Sequence, residues 1–372
     1  MTKIRFGIVG CGAIAHTHAL AISNIEGAEL VAVASRTQDK LRGFADKYGC
    51  YFYADFKEML HRPDIDVINI CTPSGLHADM AIAAAGEGKH VIVEKPMDIT
   101  LEKADEMIRI FEEQKLKLCV VFQRRYEKDM LTAKRIIDEG KLGRICFGGC
   151  YVKWFRSQEY YDSAAWRGTW ELDGGGVLMN QSIHYIDLLQ YFLGPVQEVY
   201  ARCGTFNHEI EVEDLAVANL RFASGALGII EATTNAYPGL MSRIDIYGSN
   251  GTMVIENDIL TRLYMKGGEK LLGEAKKEGA GANSPLVPFV THKKQFEQMI
   301  KAIQTETKPE VDGNEGRKSL EIILAIYKSS FLGKPVRLPI SDSLLVDSSI
   351  REHVENSVLK NNCCQAGFFF FI

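Results

Sequence analysis

No apolar run in this 372-residue sequence reaches the roughly 20 residues that span a bilayer, so no membrane helix is expected. Positive charge is not in excess: 43 Lys and Arg stand against 48 Asp and Glu, a formal net charge of -5. Nucleic acid and anionic membrane surfaces require clustered basic side chains, so neither is an expected partner. Cysteines at disulfide or zinc spacing are lacking as well. The nine are Cys11, Cys50, Cys71, Cys119, Cys146, Cys150, Cys203, Cys363 and Cys364. Their number is odd, and the first seven lie mostly in apolar, strand-like runs. Reduced cysteine in a cytoplasmic protein is therefore expected. Cys146 and Cys150 are four apart and Cys363 and Cys364 adjacent, but no second pair or nearby histidines complete a metal site, so no metal is expected. The chain enters a strand at once, and no signal peptide is expected. No internal repeat is visible.

What is present is ordinary globular material, with 46% hydrophobic and 24% charged residues. At this length it predicts two domains, each with a real core. Short apolar runs over 4–9, 30–34, 67–71, 90–94 and 118–121 read as buried strands. Helical patterns over 13–22, 41–47, 56–60, 78–85 and 101–114 separate them. Continuous apolar strands alternating with helices predict a parallel sheet covered on both faces, the doubly wound α/β dinucleotide fold, over residues 1–123. The pattern then changes. A helix over 128–138 leads to a strand over 145–152, a glycine-rich loop and another helix. Strand-like stretches follow over 199–202, 215–222, 227–233, 243–247 and 252–255, and an apolar helix over 319–330 closes the pattern. This predicts an α+β domain over 124–340 with a mostly antiparallel, open-faced sheet. The Gly- and Lys-rich stretch 267–284 reads as a mobile loop. Residues 341–372, ending in four phenylalanines and Ile372, read as an atypical tail.

Gly10-Cys11-Gly12-Ala13-Ile14-Ala15 joins the first strand to the first helix. Gly10 permits the tight turn, Gly12 lets the backbone approach a pyrophosphate, and Ala15 is small enough for the helix to pack on the sheet. The backbone N–H groups at Ala13 and Ile14, at the helix start, can hold phosphate. At the end of the second strand, where an NAD site usually carries Asp or Glu, stand Ser35 and Arg36. This pair suits a 2′-phosphate and favours NADP, with NAD possible if Arg36 only stacks on adenine.

Glu94-Lys95-Pro96 follows a strand whose carboxyl end points to the ligand crevice of such a sheet. A lysine there is a solvated charge or a group that meets cofactor and substrate. A second polar cluster follows Gly174-Gly175-Gly176. On a regular helix Asn180, His184 and Asp187 would share one face, beside an apolar stripe of Met179, Ile183, Ile186, Leu189 and Leu193. His184 taken by itself reads as a hydrogen-bonded packing residue rather than as a catalytic group. Trp166-Arg167-Gly168-Thr169-Trp170 precedes this segment, after Tyr160 and Tyr161. Aromatic faces suit sugar C–H groups, and Arg167 suits a carboxylate or phosphate, although packing at a boundary explains the same residues.

Together these motifs resemble the Gfo/Idh/MocA oxidoreductases, the glucose–fructose oxidoreductase and inositol dehydrogenase family, over about residues 3–340. The resemblance implies that Lys95 is the catalytic lysine, His184 the general acid/base and Asp187 the acid three residues on. It further implies that Thr72, Pro73, His77, Glu94, Lys95 and Gln123 line the cofactor, with Arg124 close by. Trp166, Arg167, Asn180, His184 and Lys95 are expected to meet substrate. Asn180 stands where inositol dehydrogenases often carry Asp, so a full Lys–Asp–His relay is not expected. The implied reaction moves a hydride between NAD(P) and a ring hydroxyl of a sugar, a nucleotide-linked or uronic sugar, or a cyclitol. Alternatives on the same fold are an NAD-dependent glycosidase and a dihydrodiol dehydrogenase. A non-catalytic NAD(P)-binding regulator is an alternative of another class. Apolar residues on both sides of the strands over 215–222 and 227–233 predict a homodimer or homotetramer built through the sheet.

Overall fold

The computed structural model describes residues 3–271, 273–274 and 288–340. The expected tail, with Cys363 and Cys364, lies outside the described residues, as does most of the expected loop over 267–284. The chain forms two compact units. The first comprises the described residues up to 127 together with 288–318; the second comprises those from 128 to 274 together with 319–340.

The first unit alternates strand and helix: β1 (Ile4–Val9), α1 (Ala13–Ser23), β2 (Ala28–Ala34), α2 (Gln38–Tyr48), β3 (Tyr51–Tyr53), α3 (Phe56–Leu60), β4 (Val67–Ile70), α4 (His77–Gly86), β5 (His90–Val93), α5 (Leu101–Glu113) and β6 (Leu118–Val120). All neighbouring strands are parallel, in the order β3-β2-β1-β4-β5-β6. The order reverses at β1, which places the ligand crevice at the carboxyl ends of β1 and β4. Every residue of β4 is buried, as a strand covered on both faces requires. Helix α5 starts where the Thr100 hydroxyl accepts from the Lys103 amide, and it buries Leu101, Ala104, Met107, Ile108 and Phe111 as one stripe.

The second unit contains α6 (Lys128–Asp138), β7 (Ile145–Lys153), α7 (Gln158–Asp162), α8 (Ile183–Leu193), β8 (Val196–Gly204), β9 (Leu215–Phe222), β10 (Leu227–Thr233), β11 (Arg243–Gly248), β12 (Gly251–Glu256), β13 (Ile259–Met265) and β14 (Gly268–Leu271). The described chain resumes with α9 (Phe289–Gln304), α10 (Gly313–Leu332) and β15 (Val336–Arg337). Nine strands form a mixed sheet in the order β14-β13-β12-β11-β7-β10-β9-β8-β15. Among the described residues of this sheet, only β7 and β10 pair in parallel. Side chains alternate across β9: Ala216, Ala218, Leu220 and Phe222 point inward, while Val217, Asn219 and Arg221 are exposed. Helix α8 lies so close to β7 that a side chain at Gly148 would collide with Leu189 and Leu193.

Three expectations need correction. Helix α9 was not expected, and it belongs to the first unit, where Phe296, Met299 and Ile300 complete the core around Ala15, Ala19 and Ile22 of α1. Residues 124–340 are therefore not one contiguous domain. Part of the stretch read as a mobile loop is ordered, because Gly268–Leu271 pairs antiparallel with β13. Finally, the helix expected to carry Asn180 is not regular at its start, for a reason given below.

Candidate active site

The turn after β1 is built for close approach. Gly10 has φ +105°, and a side chain there would collide with the Cys71 carbonyl oxygen at the end of β4. Gly12 precedes α1, whose first turn carries no side-chain cap and no acidic residue. Its free N–H groups suit an anion, so the residues present fit a dinucleotide pyrophosphate. Gly12 and Ala13 are exposed and Ile14 half-buried. Beyond β2, Arg36 is exposed, and the Ser35 hydroxyl accepts from the Thr37 amide at 3.3 Å. The four residues that follow β2, Ser35-Arg36-Thr37-Gln38, include no carboxylate.

The ends of β4 and β5 are tied together. His77 is buried, with Nδ1 2.8 Å from the Pro96 carbonyl and Nε2 2.9 Å from the Thr72 carbonyl. A carbonyl only accepts, so a ring with a single N–H donates to one of these two at a time, and His77 sits between the loops after β4 and β5. Thr72 and Pro73 lie half-buried at the first of these ends, and Lys95 half-buried at the second. Gln123, in the turn after β6, is buried, and its side-chain carbonyl has no hydrogen-bond partner.

Glu94 is turned into the protein. One carboxylate oxygen lies 3.0 Å from His18 Nε2 and 3.8 Å from His292 Nε2; the other accepts from the Lys95 amide at 3.2 Å. The Asn69 amide donates to His18 Nδ1 at 3.1 Å, which leaves the His18 Nε2 proton for Glu94. Burial opposes charge on Glu94, but the His18 hydrogen bond and the nearby His292 outweigh it and hold the carboxyl well below the usual range. Burial also holds His18 below its ordinary value. An anionic Glu94 thus links the nucleotide-facing helix α1, the end of β5 and helix α9 around the Lys95 amide.

In the second unit, residues Leu178–Ser182 form a π turn, with one residue more than an α turn. The Ser182 hydroxyl donates to the carbonyls of Val177 and Leu178 at 2.8 and 3.3 Å, diverting acceptors that a regular helix would use. The turn is capped by Glu213, whose two oxygens accept from the Gly176 and Leu178 amides at 2.9 and 2.8 Å. Burial pushes the Glu213 carboxyl up to about 7, against the pull of these bonds. A side chain at Gly176 would collide with the Glu213 carbonyl, so this approach requires glycine. The extra residue shifts the register between Asn180 and the α-helix that carries His184 and Asp187 from that of a regular α-helix. The Asn180 amide donates to Asp173 at 3.1 Å. His184 is buried in the first turn of α8. Asp187, also buried, accepts from the Ser319 hydroxyl at 3.0 Å.

Arg167 is half-buried over Trp166, its guanidinium carbon 4.6 Å from the ring centroid. Trp170 is buried and meets Tyr327 edge-on at 5.4 Å. The sequence reading passed over His18, Asn69 and Glu213. Glu213 lies in Glu209-Ile210-Glu211-Val212-Glu213-Asp214, which looks like a solvated acidic loop. The signal available was Gly174-Gly175-Gly176, since backbone without side chains invites a cap.

Two family models match the chain: an oxidoreductase family with an NAD-binding Rossmann fold over residues 4–122, and the GFO/IDH/MocA C-terminal domain over 130–254. Among solved structures, the chain is similar to the WlbA dehydrogenase from Bordetella pertussis, determined in complex with NADH and UDP-GlcNAcA. The two are 37% identical, with a TM-score of 0.81 and coverage of 91% of this chain and 100% of that one. The chain is 28% identical to a myo-inositol 2-dehydrogenase from Thermotoga maritima, over 90% of this chain and 98% of that protein. It is 30% identical to a levoglucosan dehydrogenase from Pseudarthrobacter phenanthrenivorans, over 68% and 74%.

Proposed function

Given that the chain belongs to the GFO/IDH/MocA oxidoreductase family, with its NAD-binding Rossmann domain and C-terminal domain, we propose that it transfers a hydride between nicotinamide and a ring hydroxyl of a sugar, a sugar derivative or a cyclitol. One observation carries the reading: a glycine-rich, Glu213-capped turn leads into His184, in a chain similar along most of its length to dehydrogenases of such compounds.

Gly10, Gly12, Ala13 and Ile14 hold the pyrophosphate, and Thr72, Pro73 and Gln123 border the rest of the cofactor. When bound there, a nicotinamide would supply the hydride acceptor for the substrate carbon. His184 removes the hydroxyl proton, a task that imidazole side chains commonly perform as general bases. Lys95 keeps its positive charge on the oxygen as alkoxide character develops. Asp187 anchors the first turns of α8 through Ser319. Asn180, held by Asp173, orients the substrate without adding charge. Exposed Arg36, with no carboxylate beside Ser35, supports NADP as well as NAD.

A second copy of the chain is proposed to cover the open face of the nine-stranded sheet. Leu227 is 59% exposed, Val217 40% and Tyr200 38% on this face. Apolar groups gathered on one face favour a partner. The seven described cysteines are free, four of them buried, which suits a reducing compartment such as the cytoplasm.

The test is a panel of sugars, sugar acids, nucleotide sugars and cyclitols, each with NAD and with NADP, followed at the reduced-nicotinamide absorbance band. Reduction of nicotinamide by at least one ring hydroxyl is expected. Bound cofactor with no net redox but cleavage of glycosides would favour the glycosidase alternative, and oxidation of dihydrodiols alone the dihydrodiol alternative. Binding of NAD(P) with no reaction of any kind would identify a regulator.

A further inference from the structure

Three polar side chains converge in the interior of the first unit. His18 stands in α1, Glu94 follows β5, and His292 lies in the first turn of α9. Both histidines are fully buried and Glu94 nearly so. One donor atom from each lies within 4.8 Å of the other two. The expectation of no metal rests on cysteine spacing, which does not reach this set, because its members stand at positions 18, 94 and 292.

Hydrogen bonding alone leaves the cluster unfinished. The Glu94 oxygen that meets His18 Nε2 at 3.0 Å lies 3.8 Å from His292 Nε2, beyond hydrogen-bond reach. Neither ring nitrogen of His292 has a hydrogen-bond partner among the described residues, and neither has Asn69 Oδ1. Buried polar atoms left in this way call for a bound group. A cation satisfies them together. Two donor atoms held on one tetrahedral zinc ion stand about 3.3–3.4 Å apart. The present separations of 3.0 and 3.8 Å fall on either side of that distance. The protonation states agree as well, since a metal takes neutral imidazole and ionised carboxylate. Burial holds His18 below its ordinary value, and Glu94, against its burial, is held well below the usual range by the two histidines. With Nε2 on an ion, the His18 proton moves to Nδ1, which lies 3.1 Å from the Asn69 amide. A half-turn of that amide presents Oδ1 as the acceptor, the outer partner that a metal-bound histidine usually has.

We propose that His18, Glu94 and His292 form a buried site for a divalent cation of the zinc type. The ion ties α9 to α1 and to the end of β5, and leaves a fourth position for water. The second Glu94 oxygen keeps its bond from the Lys95 amide. The site stands apart from the proposed hydride transfer, and neither reading depends on the other.

The test uses untagged full-length protein, stripped with a chelator, incubated with excess Zn²⁺ and desalted. Zinc is then counted by elemental mass spectrometry. About one equivalent is expected, with X-ray absorption showing nitrogen and oxygen neighbours at about 2.0–2.1 Å. At a hundredfold excess over its dissociation constant, Zn²⁺ should raise the thermal midpoint by about 5–10 °C. His292→Gln and Glu94→Gln should each lose the bound equivalent, whereas the exposed control His61→Gln keeps it. Asn69→Leu should weaken zinc binding about 10–100-fold. Wild-type protein that retains no zinc would overturn the proposal, and that measurement needs no variant to fold. A zinc shell dominated by sulfur would overturn it too, by placing the ion on cysteines. So would an equivalent retained by both His292→Gln and Glu94→Gln.

Discussion

Replacing Glu213 with glutamine should erase a pH dependence from the stability of the second unit. The Glu213 carboxyl is buried beneath the glycine-rich turn and capped onto two amides, and burial pushes it up to about 7 from an ordinary 4.5. Below about 4.5 both folded and unfolded chains hold the proton. Between there and about 7 the unfolded chain gives it up while the folded chain keeps it, so stability falls as pH rises. At 1.36 kcal/mol per unit the loss totals about 3 kcal/mol and is complete above about 7. Glutamine does not titrate. It turns an N–H toward one of the two amides, a cost of about 1–3 kcal/mol at every pH. All three tryptophans, Trp154, Trp166 and Trp170, lie in the second unit, so their fluorescence during urea unfolding reads that unit. The stability advantage of wild type over Glu213→Gln should shrink by about 2–3 kcal/mol between pH 5 and pH 8. A gap constant to within about 0.5 kcal/mol would refute the reasoning.

Three further outcomes follow from the site. Lys95→Ala and His184→Ala should each lower turnover by about 10²–10⁴-fold while NADH fluorescence titration shows cofactor still bound; near-normal turnover in both would remove them from the chemistry. Ser35→Asp should weaken NADP much more than NAD, because the new carboxylate meets the 2′-phosphate, and equal weakening by titration would end the case for NADP. Leu227→Asp should dissociate the assembly formed through the open sheet face, as read by light scattering; a wild-type protein that is already monomeric would contradict that assembly.

Most of the fold was legible because it is written in runs that only one structure satisfies. Val67–Ile70 is apolar at every position but Asn69 and buried throughout, and Ala216, Ala218, Leu220 and Phe222 alternate cleanly with exposed neighbours. Helix α9 was not, because His292 and Gln295 occupy inward positions and interrupt its apolar stripe. The π turn was invisible for a different reason. An α-helix and a π turn bury the same kinds of residue, and the choice between them depends on Ser182 and Glu213, the second of them 31 positions from Ser182 in sequence. The site was legible as motifs. Which of their side chains face inward was not: Glu94 and His77, named beside the cofactor, are committed to His18, to the Lys95 amide and to backbone carbonyls.

The discontinuous nucleotide-binding unit has a consequence for the protein's synthesis. Residues up to 127 emerge first, yet α9, which sets Phe296 edge-on to His18 at 4.9 Å, begins about 160 residues later. At about 5–20 residues per second, the flank of α1 that includes Ala15, Ala19 and Ile22 therefore lacks α9 for roughly 10–30 s on every ribosome. Throughout that interval the second unit is being made, with its own apolar strands emerging beside an unfinished neighbour. A nascent chain of this design depends on whatever shields apolar surface near the tunnel exit, and a ribosome stalled within the second unit would release a nucleotide-binding domain that cannot close its core.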